Sequence, residues 1–182
     1  CGPNVTRSRH TYTERPPRQH LGGGDKKKYD TMAAADGARL ASPPDAAEIA
    51  KWLADPGADL RTKANVVAEI KEMIEVYVNV DYMSFLNAVL PVQMDLLENT
   101  ACAFVSDAPE QRLRHGLIET IYRYPQHEAV RPHTDRLMQV MLKIVQEDNE
   151  DNATLAFKGI IYLHCSFKAT VQLQAKSLLK FL

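Results

Sequence analysis

Residues 147–152 read Glu-Asp-Asn-Glu-Asp-Asn, four carboxylates and two amides in six positions. Clustered oxygens of this kind are what a calcium ion takes as ligands. The spacing argues against it. A calcium loop of the EF-hand type alternates its ligands over about twelve residues, turns on a central Gly and closes with a bidentate Glu. None of that is present here. His164-Cys165 invites a zinc site or an activated thiol, but neighbours on a helix point about 100° apart. No second Cys/His pair stands at a useful distance, so a packed Cys beside an edge His is expected. His115, His127 and His133 have no acid or nucleophile at catalytic spacing and read as surface or interface residues. Gly22-Gly23-Gly24 before Lys26-Lys27-Lys28 lacks both the GxxxxGK[ST] spacing and the preceding strand of a phosphate loop. No catalytic residue, no cofactor and no metal is expected, and the chain reads as a non-enzyme.

The acidic run must therefore be explained by the elements on either side of it. From about residue 45 the apolar residues recur at helical spacing almost without interruption. A short helix fits 45–54, holding Trp52 and ending at Asp55-Pro56-Gly57. Asp59 then caps a run with Val66, Val67, Ile70, Met73, Ile74 and Tyr77 on one stripe. A partner runs from about Asp81 to Glu98 with Phe85, Leu86, Val89, Leu90 and Leu97 inward, and Pro91 should kink it. The next helix starts near Asp107 as an acidic cap and buries Leu113, Leu117, Ile118 and Ile121. Another opens with Pro132 at its first position and carries Leu137, Met141, Ile144 and Val145. A fifth spans roughly 150–167, apolar all round at its centre, and a sixth begins near Gln172 with Leu178, Leu179 and Leu182. Most of the methionines fall on these stripes as core filling.

Helices starting near 60, 108 and 150 repeat at close to the ~40–47 residues of HEAT or armadillo units. The expected fold is all-α: a HEAT-like solenoid of about three helix pairs over 45–182, each pair burying its stripe on the next. The acidic run is then an inter-helix turn, with Asn149 as N-cap. Glu150 and Asp151 sit favourably in the first turn of the following helix, and Glu147 and Asp148 unfavourably at the end of the preceding one. Glu147, Asp148, Glu150 and Asp151 are accordingly expected to form a solvated protein-interaction edge. Replacing Glu147 or Asp148 should hardly change stability.

Residues 1–31 hold seven Lys/Arg against three acids, whereas 32–182 hold fifteen against twenty. The basic stretch has almost no aliphatic side chains, so residues 1–44 are read as a disordered leader and linker. Met32-Ala-Ala-Ala-Asp resembles an ordinary protein start, which would leave 1–31 dispensable for folding. No apolar run approaches the roughly 18 residues of a membrane span, and no secretory signal pattern precedes the helices. Three cysteines without a CxxC pair suit a reducing compartment, as buried thiols.

The stretch from Glu110 to Phe167 resembles the N-terminal region of the TRRAP family. The likeness is carried by Gln111-Arg112-Leu113-Arg114, Ile118-Glu119, Ile121-Tyr122-Arg123 with Pro125, and above all Val130-Arg131-Pro132-His133-Thr134. It continues through Val140-Met141, the 147–152 turn, and Ile160-Ile161-Tyr162-Leu163-His164 with Phe167. A weaker likeness reaches back to about residue 47 through Val76-Tyr77 and Phe85-Leu86. Lys168-Ala169-Thr170 lacks the proline of the family pattern, and Cys165 stands where a basic residue is usual. The resemblance implies a very long helical-repeat protein ending in a kinase-like domain without catalytic residues. It implies a nuclear scaffold of SAGA-type and related histone acetyltransferase coactivator complexes, with complex subunits and transcriptional activators as partners. No small-molecule substrate, membrane or direct nucleic-acid contact is expected. Another HEAT-type adaptor or transport scaffold, or a nucleic-acid binder using the basic arm, are the alternatives.

Overall fold

The computed structural model describes residues 44–167, and among them all regular structure is helical. The leader and linker of 1–44, apart from Pro44, and the helix expected from Gln172 lie outside the described residues.

Helix α1, Ala46–Ala54, is capped by the Asp45 carboxylate, which accepts from Ala47 N at 3.3 Å, and it buries Ile49 and Leu53. Asp59 caps α2, Leu60–Asn99, by accepting from Thr62 N at 2.8 Å. The expected pair of helices is present here as two arms of one element, which leaves helical dihedrals at Asp81 (φ −158°, ψ 81°). There the side chain accepts from Ser84 N at 3.0 Å and caps the second arm. A short carboxylate that competes for backbone N–H groups favours such a boundary. The break falls where the second helix was expected to begin, and Pro91 lies inside the second arm. Both arms stay fastened across the break. Tyr77 and Phe85 stack with centroids 4.3 Å apart, and Phe85 meets the edge of Tyr124 at 5.8 Å. Tyr77 donates its hydroxyl to Pro44 O at 3.2 Å, and Tyr82 donates to Pro125 O at 2.9 Å.

Helix α3, Pro109–Arg123, begins one residue later than the acidic cap at Asp107 would require. Pro109 at the first position pushes its predecessor into extended backbone. The cap is thus Ala108, with no side-chain hydrogen bond. A 3-10 turn, η1 (Glu128–His133), contains Pro132, so α4 starts at Thr134 and runs to Glu147 rather than opening on the proline. Helix α5 spans Glu150–Ser166 with Asn149 as its N-cap, as expected.

The packing order is α1 on α2, α2 on α3, α3 on α5 and α4 on α5, with η1 against α2 and α4. Starts near 60, 108 and 150 implied pairing α3 with its successor; instead α3 lies chiefly against α2 and α5. The stripe residues Val67, Ile70, Phe85, Leu86, Leu113, Leu117, Leu137 and Met141 join one buried cluster. The centre of α5 is less enclosed than expected: Gly159, Ile160 and Leu163 are buried, while Ile161 and Tyr162 face outward.

Phe85 holds the two arms of α2 to each other and to Tyr124, so Phe85→Ala should destabilise the fold by about 3–5 kcal/mol. Urea unfolding measures this; a loss below about 1 kcal/mol would show that the bend is held by something else.

Candidate functional site

The 147–152 turn joins α4 to α5, and it is the most densely hydrogen-bonded part of the molecule among the described residues. Its centre is Asp148, whose side chain is 0% exposed and pairs with Arg114 of α3, itself 4% exposed. Two guanidinium nitrogens reach the same carboxylate oxygen, Nη2 at 2.5 Å and Nε at 2.7 Å. The other oxygen, Oδ1, accepts from Asn149 N at 2.9 Å, Asn149 Nδ2 at 3.0 Å and Asn152 Nδ2 at 3.1 Å. Arg114 Nη1 turns the other way and donates to the backbone oxygens of Leu97 (2.7 Å) and Thr100 (2.6 Å). Those carbonyls belong to the end of α2, whose last turn has no basic residue of its own. A helix C-terminus leaves carbonyls without intrahelical donors, and here a neighbouring helix supplies the donor and the positive charge.

A second layer surrounds this pair. Gln111 Oε1 accepts from Asn149 Nδ2 at 2.7 Å and Asn152 Nδ2 at 2.9 Å, while Asn149 Nδ2 also reaches Ala103 O at 3.1 Å. Because Asn152 Nδ2 faces two acceptors, its Oδ1 must be the atom 3.0 Å from His115 Nδ1. That assigns the proton of the pair to His115 Nδ1. The end of α2, the 100–108 loop, α3, α4 and α5 are all tied here.

Asp148 is thus not solvated, contrary to the expectation from the helix dipole. That argument treated it like Glu147, but only Asp148 points inward to a cation 34 residues away. Glu147 is 55% exposed, within 4.0 Å of Lys143, and Glu150 and Asp151 are also exposed. The remaining edge has three acids.

Beside it runs a groove of about 560 Å³ between the first arm of α2 and α3, closed at one end by the start of α5. Ala64, Ala68 and Gly116 lie along it, with Arg61, Lys71, Arg112, His115, Glu119 and Asp151 as its polar lining. Lys71 and Glu119 bridge it at 3.1 Å, and Arg123 reaches the other Glu119 oxygen at 2.8 Å. Burial pushes the Glu119 carboxyl up, but hydrogen bonding to Lys71 and the charges of Lys71, Arg123 and His115 outweigh it and hold the group below its ordinary value.

The histidines do not converge. His127 Nδ1 accepts from Ala129 N at 3.3 Å as the cap of η1, and His133 Nε2 lies 3.1 Å from Asn87 Oδ1. Among the described residues no three His, Cys, Asp or Glu side chains are grouped to hold a metal ion. His164 and Cys165 are both exposed on α5, and Cys102 is half-buried. The expectation of a packed Cys165 fails because position 165 falls on the side of α5 opposite Ile160 and Leu163. Arg131 forms two bonds to Glu128, at 2.6 and 2.7 Å, and its guanidinium lies 5.6 Å from the Phe167 ring. Arg136 clamps Asp95 and Glu98 of α2, the latter at 2.6 Å.

Sequence reasoning missed the roles of Arg114, Gln111 and Asn152. A signal existed: Arg114 shares the stripe of Leu117, Ile118 and Ile121, at i, i+3, i+4 and i+7, where a charge is rarely buried without a partner.

Removing one member of a buried ion pair costs about 3–5 kcal/mol, because the other is left uncompensated. Asp148→Ala and Arg114→Ala should each lower stability by that order. Glu147→Ala should change it by no more than about 0.5 kcal/mol. Chemical denaturation of the three variants decides; equal, small effects at 147 and 148 would contradict the buried pair.

No protein-family model matches the chain. It is 34% identical over 107 residues, 59% of its length, to a probable transcription-associated protein 1 of Dictyostelium discoideum. It is 30% identical over 130 residues, 71% of its length, to the human transformation/transcription domain-associated protein. Over 136 residues, 74% of its length, it is 24% identical to the SAGA complex/NuA4 acetyltransferase complex subunit TRA1 of Saccharomyces cerevisiae. The chain spans only 2%, 3% and 4% of these relatives' own lengths, respectively.

Proposed function

We propose that this chain, a segment of the TRRAP family, acts as a non-catalytic scaffold region in a subunit of a nuclear transcription coactivator of the SAGA or NuA4 acetyltransferase type. The observation that carries this reading is the sequence likeness over 59–74% of the chain to transcription-associated proteins of several organisms. In this reading α1 with the first arm of α2, the second arm with α3, and α4 with α5 are three stacked antiparallel pairs of a HEAT-like array. Such arrays present long surfaces to proteins. Buried ion pairs and side-chain caps are occupied in holding helices, which leaves contact to exposed residues. Glu147, Glu150 and Asp151 form one such edge, and the neighbouring groove is its continuation. The partners are protein: other subunits of the complex, and transcriptional activators.

The test uses the full-length natural protein carrying this segment, tagged and purified from its own cells. Histone acetyltransferase activity should copurify with it. Charge reversal at the three exposed acids (E147K, E150K, D151K together) should reduce the recovery of at least one partner while the melting temperature stays within a few degrees. Copurification without any acetyltransferase activity would overturn the coactivator reading. Unchanged partner recovery in the triple variant would overturn the acidic edge alone.

A further inference from the structure

The loop between α2 and α3 carries the two most exposed large apolar side chains among the described residues: Phe104 is 74% exposed and Val105 69%. A single apolar residue in solvent is ordinary. Two in succession are a different matter when the backbone beneath them is fixed, and here it is held on both sides. Before the tip, Thr100 O accepts from Arg114 Nη1 at 2.6 Å, and Ala103 O accepts from Asn149 Nδ2 at 3.1 Å. After it, Ala108 N donates to Val105 O at 3.0 Å and closes a turn. The same arginine and asparagine that organise the buried ion pair therefore also set the position of this loop. Phe104 and Val105 are displayed on it in advance of any contact, which lowers the entropy lost when a partner orders them. Aromatic side chains seated in a partner's pocket are typical anchors of protein interfaces.

The charges around the tip specify the partner. Asp107 and Glu110 follow it in sequence, and the Asn149–Ala103 bond brings the start of α5, with Glu150, to the same loop. None of these three acids enters an ion pair among the described residues. None of them lines the groove either, whereas Arg61 and Arg112 lie inside it with Ser106. Outside the groove, the border of the apolar tip is acidic.

We infer that Phe104 and Val105 form a preorganised anchor that inserts into an apolar pocket of a protein partner, with Lys or Arg at the pocket's rim to meet Asp107, Glu110 and Glu150. A nucleic acid does not fit, because the three acids would repel its phosphates. A second copy docking through the same face would set these acids against their own like charges. The inference deepens the reading of the acidic edge as a contact surface, and it rests on that reading for the presence of a protein partner.

The test uses the full-length natural protein in its purified assembly, carrying Phe104→p-benzoylphenylalanine as a photo-cross-linking probe. Irradiation should join position 104 to one dominant segment of another chain. No cross-link, or cross-links only within the same chain, would overturn the anchor. Adding Asp107→Lys and Glu110→Lys should lower the yield several-fold, and an unchanged yield would overturn the basic rim. In a protein without the probe, Phe104→Ala should reduce recovery of the cross-linked partner at least about tenfold, and Phe104→Leu less. The urea midpoint of the 182-residue chain should stay where it is in both variants. Undiminished recovery, or a clearly lowered midpoint that makes Phe104 a structural residue, would equally sink the proposal. Acetyltransferase activity in the same purified assembly reports on the coactivator reading separately, so activity without a cross-link removes the anchor alone.

Discussion

The Arg114–Asp148 ion pair is the constraint on which the arrangement of the other helices depends. Its two ends are anchored in different elements, and the guanidinium also holds the carbonyls that finish α2. Three helix termini therefore meet at one buried cation: the end of α2, the end of α4 and, through Asn149 and Asn152, the start of α5. A buried charge pair is seldom a large net source of stability, since desolvation offsets most of the attraction. Its effect here is geometric. An arginine with this many fixed acceptors is satisfied in one arrangement of the surrounding helices, and an apolar interface alone would tolerate sliding.

The same logic recurs around the molecule with less burial. Arg136 of α4 holds two acids of α2, Lys71 of α2 holds Glu119 of α3, and Arg131 links η1 to the end of α5 through Phe167. The buried Tyr124 hydroxyl donates to Gln93 across the core at 2.8 Å, and its desolvation raises it well above the ordinary range for a tyrosine. Polar groups from one helix thus repeatedly complete the next, between stripes of Leu, Ile and Met. Arg114, Arg131, Thr134 and Asp148, which fall in the stretch whose sequence resembles the TRRAP family, are residues of these clamps. Glu147, Glu150 and Asp151 stay exposed beside the groove.

The helices themselves were legible. Asp45, Asp59 and Asn149 cap where their side-chain types suggest, and the buried apolar residues of α3 and α4 fall on their stripes, joined by the polar Gln111, Arg114, Thr120 and Thr134. The misreadings were local contests between two rules. At Pro109 the restriction on the preceding residue displaced the acidic cap by one position. At Pro132 a 3-10 turn absorbed the proline ahead of α4.

What the sequence determined by itself was therefore, among the described residues, the α-helices, their inward stripes and most of their caps, because those rest on interactions between residues no more than about four apart. What only the tertiary structure decided was which helix packs on which, and which of four neighbouring acids is buried. Glu147 and Asp148 are adjacent and chemically alike, yet one carboxylate stays in solvent while the other is buried against Arg114, 34 positions away. No local pattern carries that distinction, since it depends on a cation that the packing of α3 on α5 brings into reach.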